Sequence, residues 1–255
     1  MQLKNSENRL MNLLEEKINR IRVNMVKKSA WMESIAMGAI PKNKHLAILL
    51  SLLPQHENKR LELEQYTTPG NLAARWVNEI NNASKEGISN FEIIDLGCGN
   101  GVLGFGCALM GAKKVTMIDC DSQAIEIAKS GQKVLTEKVN LNTEIKFINS
   151  MIGKSEIKIP NDSLIISNPP WGTQRQKADR PILELMFKSN AKEIHIMHTS
   201  KITHLIPFAN DHGWVAQKMF RTMFILPAIY QHHKQKNSST EIICWKFTKP
   251  TEGEV

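Results

Sequence analysis

The residues best suited to chemistry lie in two short stretches, "ISNPPWG" (Ile166–Gly172) and "IIDLGCGNGVLG" (Ile93–Gly104). In the first, an apolar run ends on the amide of Asn168, and Pro169, Pro170 and Trp171 follow it. The Asn168 side-chain oxygen and the Pro169 carbonyl are two acceptors. Together they suit the NH2 of a planar, conjugated nitrogen, as on adenine or a carboxamide. Such a nitrogen is a weak nucleophile because its lone pair is delocalised. Two acceptors aim that lone pair and stabilise the positive charge that grows in the transition state. The prolines fix the carbonyl direction and donate no competing N–H. Trp171 is expected to stack on the planar substrate, as aromatic side chains do on unstacked bases. The competing reading is structural, since Asn-Pro-Pro is also an ordinary turn that ends a strand.

The second stretch combines a strand, an acid and a glycine turn. In doubly wound α/β folds the ligand sits at the carboxyl ends of the strands, over the first strand–helix turn. Gly97, Gly99 and Gly101 allow close backbone approach, and the next helix N-terminus supplies unpaired N–H donors. Gly99, Gly101 and Gly104 also satisfy G-x-G-x-x-G, the dinucleotide fingerprint. Asp95 argues against that ligand. A carboxylate two residues before the first glycine repels a pyrophosphate but can hold a cationic amino acid group, directly or through water. S-adenosylmethionine has no phosphate and carries both an ammonium and a sulfonium. Asp119 ends the next strand, where a carboxylate can accept both ribose hydroxyls. The expected donor set is therefore Asp95, Gly97, Cys98, Gly99, Gly101, Asp119 and Cys120, with Asn168 emerging beside the sulfonium methyl.

These residues need a scaffold, and the chain supplies the pattern of one. From residue 61 onward, apolar strands alternate with helices: Phe91–Leu96, Lys113–Asp119, "EIKFIN", Ser163–Asn168, "EIHIMH", "WVAQKMFRTMF" and "STEIICWKF". Such runs indicate a mostly parallel seven-stranded sheet covered on both faces, with an antiparallel last strand. "TTPGNLAARWVNEI" starts a helix with Thr68 as the expected N-cap and Pro69 at its first position. Residues 1–57 read as a helical N-terminal extension to the domain at 58–250. Leu10, Leu14, Ile18, Ile21 and Met25 recur at helical spacing, and a second helix is expected over Lys44–Leu53, ending before Pro54.

At 255 residues and 42% apolar composition the chain can bury a sizeable core. The formal charge of +8 hints at an anionic partner. The four cysteines form no CxxC pair, the polar N-terminus has no signal-peptide core, and "LAILLSLLP" is too short to span a bilayer. A cytoplasmic protein without a membrane or metal site is expected. His195 and His198 are expected to face opposite ways as structural histidines.

Together "LEQYTTPGNLAARW", "DLGCGNGVLGFGCALMGA", "IDCDSQAIEIA", "ISNPPWGT" and "LPAIYQHHKQK" resemble the methyltransferase-like protein five family, in collinear order over residues 60–248. The resemblance implies an archaeal-type member with a Rossmann-like class I fold, methylating the 6-amino group of one small-subunit ribosomal RNA adenosine. It implies that Gln65, Tyr66 and Thr68 close over the cofactor and that Asn168 to Trp171 hold the adenine. Eukaryotic members of the family work with a small zinc-binding activator paired along an edge strand, which makes such a protein a candidate partner here. If "EIKFIN" is that edge, Ile145 and Phe147 are the candidate contacts. The sequence departs from the family at two places. "FINSMI" carries Ser150 where an acidic residue usually binds the cofactor's adenine, so that contact weakens or moves to Asn149. Trp171 replaces a usual Phe. In the "YQHHKQK" segment, Tyr230 is a candidate for contacting a flipped base, and His233, Lys234 and Lys236 for gripping phosphates; a solvated loop is the plain alternative.

Two other acceptors suit the same Asn-Pro-Pro chemistry, a protein glutamine carboxamide and a DNA adenine. A ribosome-assembly module that merely retains the fold is the non-enzymatic alternative.

Overall fold

The computed structural model describes residues 30–56, 60–172, 177–227 and 237–250. Period-two alternation buries both faces of the central strands. In β1 (Glu92–Leu96), Ile93 shares one core with Val115 and Met117 of β2 (Lys114–Asp119), while Ile94 and Leu96 share the other with Ile118. β3 (Glu144–Asn149), β4 (Leu164–Ser167), β5 (Glu193–Thr199), β6 (Val215–Pro227) and β7 (Asn237–Thr248) complete a sheet of order β3-β2-β1-β4-β5-β7-β6. Strands β1 to β5 run parallel, and β7 lies antiparallel to both β5 and β6. This is the sheet the strand pattern predicts, with β3 at one edge.

The helices divide between the two cores. Residues 30–36 (α1) precede α2 (Asn43–Leu50), α3 (Gly70–Ala83), α4 (Val102–Leu109) and α5 (Ser122–Thr136), whose apolar residues join the Ile93 core. The other core is covered by α6 (Arg180–Phe187) and α7 (Leu205–Asn210). Leu46, Leu49, Leu50 and Leu53 are buried in one cluster with Val77 of α3 and Phe105 of α4. Each such leucine contributes about 2 kcal/mol by leaving water. The end of the expected extension thus shares a core with the sheet. The helix proposed for residues 10–25 lies outside the described residues.

One sequence expectation is corrected here. Helix α3 has Pro69 at its N-cap position and no side-chain cap, so Thr68 does not cap it. A partner a hundred residues away takes the hydroxyl instead, as described below.

His195 and His198 are both buried, on opposite faces of β5. His195 Nε2 lies 3.0 Å from Glu193 Oε2, and Lys246 Nζ donates to Glu193 Oε1 at 2.9 Å. Ser84, just past α3, donates to the same carboxylate. Burial opposes ionisation of Glu193, but the bonds from His195, Ser84 and Lys246 outweigh it and pull its carboxyl down to about 2. This network fastens α3 to the end of the sheet remote from the glycine turn. Among the described residues no helix is long and apolar enough to cross a membrane. Among them, no cluster of three or more His, Cys, Asp or Glu is arranged to hold a metal ion.

Candidate cofactor and substrate site

Register alone brings the predicted residues level. Leu96 pairs with Ile118, and Asp95 pairs with Ile166 of β4. Continued to the strand ends, the same registers set Gly97 beside Asp119 on one side and beside Asn168 on the other. Ser167 reinforces this level by donating its hydroxyl to the Leu96 carbonyl at 2.6 Å. A cavity of about 260 Å³ opens over these three strand ends.

Its wall contains many of the expected residues. Gly97, Cys98 and Gly99 come from the β1 turn, Asp119 and Cys120 from β2, and Ser150 from the end of β3. Asn168 and Pro170 directly follow β4, and Gln65, Tyr66 and Thr68 come from the strap that precedes α3. Gly97 and Gly99 adopt left-handed backbone (φ 69° and 55°), which only glycine takes without strain. A Cβ on Gly99 would meet nothing within 4 Å, so its bare backbone adjoins open space in the wall.

Asp119 is oriented by the turn it faces. Its Oδ2 accepts the Gly99 N–H and its Oδ1 accepts the Asp121 N–H, each at 2.9 Å. Burial pushes its carboxyl up, against these two hydrogen bonds. Each oxygen keeps lone-pair capacity for ribose hydroxyls. Burial also raises the Cys98 thiol well above its usual value, and that of Cys120 more modestly, so both are protonated wall residues.

The strap is pinned at Asp121, which sequence reading missed. Asp121 Oδ2 accepts the Gln65 amide at 2.6 Å and lies 3.2 Å from His56 Nε2, while Oδ1 caps α5 through the Gln123 N–H. Burial opposes ionisation of this carboxyl, but the bonds from Gln65, Gln123 and His56 hold it below its usual value. The cap itself was legible in "DSQAIEIA". The two strap partners were not, since they lie 56 and 65 residues away.

Several expected residues stand behind the wall. Asp95 shares a strand face with Ile93, the face covered by α4, and its Oδ2 accepts the Gly104 N–H at 2.9 Å. It is 1% exposed, and its Oδ1 is buried without a partner. Burial pushes its carboxyl up to about 7, despite the Gly104 bond. Asp95 therefore braces α4 against β1 from beneath the turn. Gly101 is the left-handed N-cap of α4. Asn149 donates to the Asp119 carbonyl at 3.0 Å, which leaves Ser150 as the β3 residue in the wall.

Trp171, expected to stack on a planar substrate, is held among protein groups. It is 8% exposed, packs edge-to-face on Phe224 at 5.1 Å between ring centroids, and donates its backbone N–H to Glu64 Oε2 at 2.7 Å. Its indole Nε1–H donates to Asn168 Oδ1 at 3.1 Å, and Asn168 Nδ2 donates to Thr68 Oγ1 at 3.1 Å. The half-buried ring in the wall is Tyr66, whose centroid lies 6.1 Å from that of Trp171. Tyr230, His233, Lys234 and Lys236 lie outside the described residues.

With this geometry established, the sequence profile of the methyltransferase small domain family matches residues 79–196, the segment from α3 through most of β5. An uncharacterized protein of Methanocaldococcus jannaschii is 32% identical over 215 residues, 82% of this chain and 94% of that protein. The chain belongs to a methyltransferase family. The rRNA N(6)-adenosine-methyltransferase METTL5 of Danio rerio is 29% identical over 209 residues, covering 81% of this chain and 99% of that enzyme. A Pyrococcus horikoshii crystal structure, provisionally assigned as an RNA methyltransferase, superposes with a TM-score of 0.70 at 28% identity, covering 84% of this chain and all of that one. The fold is accordingly the Rossmann-like methyltransferase fold. The methyl donor of this class is S-adenosylmethionine. The cavity suits it: the bare backbone of Gly99 faces Asp119, whose carboxylate keeps lone pairs for ribose hydroxyls.

Proposed function

We propose that this methyltransferase modifies the 6-amino group of an adenosine in small-subunit ribosomal RNA, as an archaeal-type member of the methyltransferase-like protein five family. The observation that carries the reading is Asn168, whose amide stands in the same cavity wall as Asp119 and Gly99, at the end of the strand next to β1. The curated relative from Danio rerio supports the choice of RNA adenosine, because the likeness spans 99% of its length.

In this reading Asp119, Gly97 and Gly99 hold the donor, which supplies an electrophilic methyl group on a sulfonium. Asn168 Oδ1 and the Pro169 carbonyl accept the two N–H bonds of the adenosine amine. They thereby turn its nitrogen toward the methyl and stabilise positive charge as the new C–N bond forms and the methyl's C–S bond breaks, its electron pair leaving on the sulfur. The proton of the methylated nitrogen then leaves to solvent, so no side chain is required as a strong base. Tyr66 is the ring best placed to lie against the base, with Trp171 behind it.

The finer partners belong to the same proposal. A ribosomal substrate agrees with the +8 charge and a cytoplasmic location. Strand β3 is a sheet edge with Ile145 and Phe147 half-buried, a surface on which a small zinc-binding activator can add a strand.

The test is nucleoside mass spectrometry of small-subunit RNA methylated by the wild-type chain and by Asn168→Ala. The expected result is N(6)-methyladenosine with the wild type and a loss of at least a hundredfold in the variant. Full activity of Asn168→Ala, or unmodified adenosine with the wild type, overturns the reading.

A further inference from the structure

An asparagine amide is a good reader of hydrogen-bonding groups only if it cannot turn over. Its terminal torsion is broad and roughly two-fold, so a free amide offers oxygen and NH2 to the same spot in turn. Asn168 is not free in this sense. The indole N–H of Trp171 can only donate, and it meets Oδ1 at 3.1 Å. Turning the amide over would set an NH2 against that N–H, two donors face to face. On the other side Thr68 Oγ1 accepts from Nδ2 at 3.1 Å.

Both partners are held firmly. Thr68 is 4% exposed, and Trp171 is clamped by Phe224, by His198 beside its ring, and by its backbone bond to Glu64.

We infer that Trp171 is a positioning residue that fixes the sense of the Asn168 amide, with the Thr68 hydroxyl holding its other end in place, leaving the amide one acceptor and one donor for the acceptor substrate. This rests on the role of Asn168 proposed above and deepens it. A locked amide of this polarity matches an amino group beside a ring nitrogen with a lone pair, as on adenine. It opposes an oxo group beside a ring N–H, because the lone pairs then face each other. A site whose buried polar groups are pre-paired rejects the wrong pattern strongly, since the mismatch leaves groups unsatisfied. The Phe that commonly ends the Asn-Pro-Pro motif has no N–H, so this lock comes from the tryptophan of this chain.

The lock is tested by steady-state methylation of small-subunit RNA with four proteins: wild type, Trp171→Phe, Thr68→Val and Thr68→Ser. Trp171→Phe keeps a ring against Phe224 and removes the donor. Thr68→Val keeps the shape and removes the acceptor, and Thr68→Ser restores it. Trp171→Phe and Thr68→Val should each lower kcat about tenfold, consistent with misorientation of a reacting group. Trp171→Phe should leave the calorimetric Kd for S-adenosylmethionine close to wild type, because Trp171 stands outside the cofactor wall, and Thr68→Ser should recover most of the kcat lost in Thr68→Val.

Two results overturn the lock while leaving the adenosine reading intact. One is kcat within twofold of wild type in both Trp171→Phe and Thr68→Val. The other is an equal loss in Thr68→Ser and Thr68→Val. A wild-type chain that methylates a glutamine carboxamide instead overturns the ribosomal reading alone, because the same proteins then report kcat on that acceptor.

Discussion

The carboxylate of Asp119 and the backbone of Gly99, twenty residues apart, are joined by a 2.9 Å hydrogen bond across the floor of the cavity. The bond works in both directions: it keeps the left-handed glycine turn open and points the carboxylate along the wall. If Asp119 receives the ribose hydroxyls, its removal deletes bonds to a charged acceptor, with a net loss of about 1.5–3 kcal/mol once water reaches the freed hydroxyls. Asp119→Ala should therefore weaken S-adenosylmethionine binding by about ten- to a hundredfold, read by isothermal titration calorimetry. An unchanged Kd would remove Asp119 from the donor site.

Asp95 makes a prediction of the opposite kind, about pH and not about ligand. Its carboxyl is raised to about 7 by burial, so the folded protein holds a proton there that the unfolded chain has lost at the ordinary carboxylate value. Stability from this group is fully present below the unfolded pKa. It falls as pH rises toward 7, and above that the penalty of a buried charge is complete. Asp95→Asn keeps an acceptor for the Gly104 N–H and cannot ionise. Its Tm relative to wild type should accordingly be more favourable at pH 8 than at pH 5. Equal differences at the two pH values, measured by calorimetry in matched ionic strength, would show that Asp95 is not neutralised by burial.

What could be read from the chain and what could not divides along sequence separation. Gly97, Gly99 and Asp119 were legible because strand, turn and acid are local signals, and parallel pairing places successive strand ends together. The antiparallel β6–β7 pair was legible because the sequence between its two apolar runs carries no apolar helical pattern that could cross back over the sheet. The surroundings of Trp171 were not legible because they are remote in sequence: Phe224 packs on its ring and Glu64 accepts its backbone N–H. Thr68 was misjudged for the same reason, since the rule that makes a threonine before a proline a helix cap knows nothing of Asn168. Asp95 was half read. Its position at the strand end was correct, but period two on β1 turns it toward α4 and away from the cavity wall.

The strap that carries Gln65, Tyr66 and Thr68 depends on how closely α2 and α3 approach, and that distance is set by Gly70. A Cβ built there would lie 2.5 Å from Ser51 Oγ, 2.8 Å from Ser51 N and 3.0 Å from Leu50 C. Two of these three neighbours are backbone, so a rotamer change cannot relieve the contact; the two helices must separate. Elsewhere in a helix, glycine to alanine is expected to stabilise by up to about 1 kcal/mol. Here overpacking reverses the sign, and Gly70→Ala should destabilise by about 1–3 kcal/mol in chemical denaturation. The strap ends at Gly70, where α3 begins, so the same variant should bind S-adenosylmethionine more weakly. Asn78→Ala, which removes only the exposed Asn43 contact and a bond within α3, provides the comparison. Equal stability of Gly70→Ala and wild type would mean that the helices can part without cost, and that their packing does not hold the strap in place.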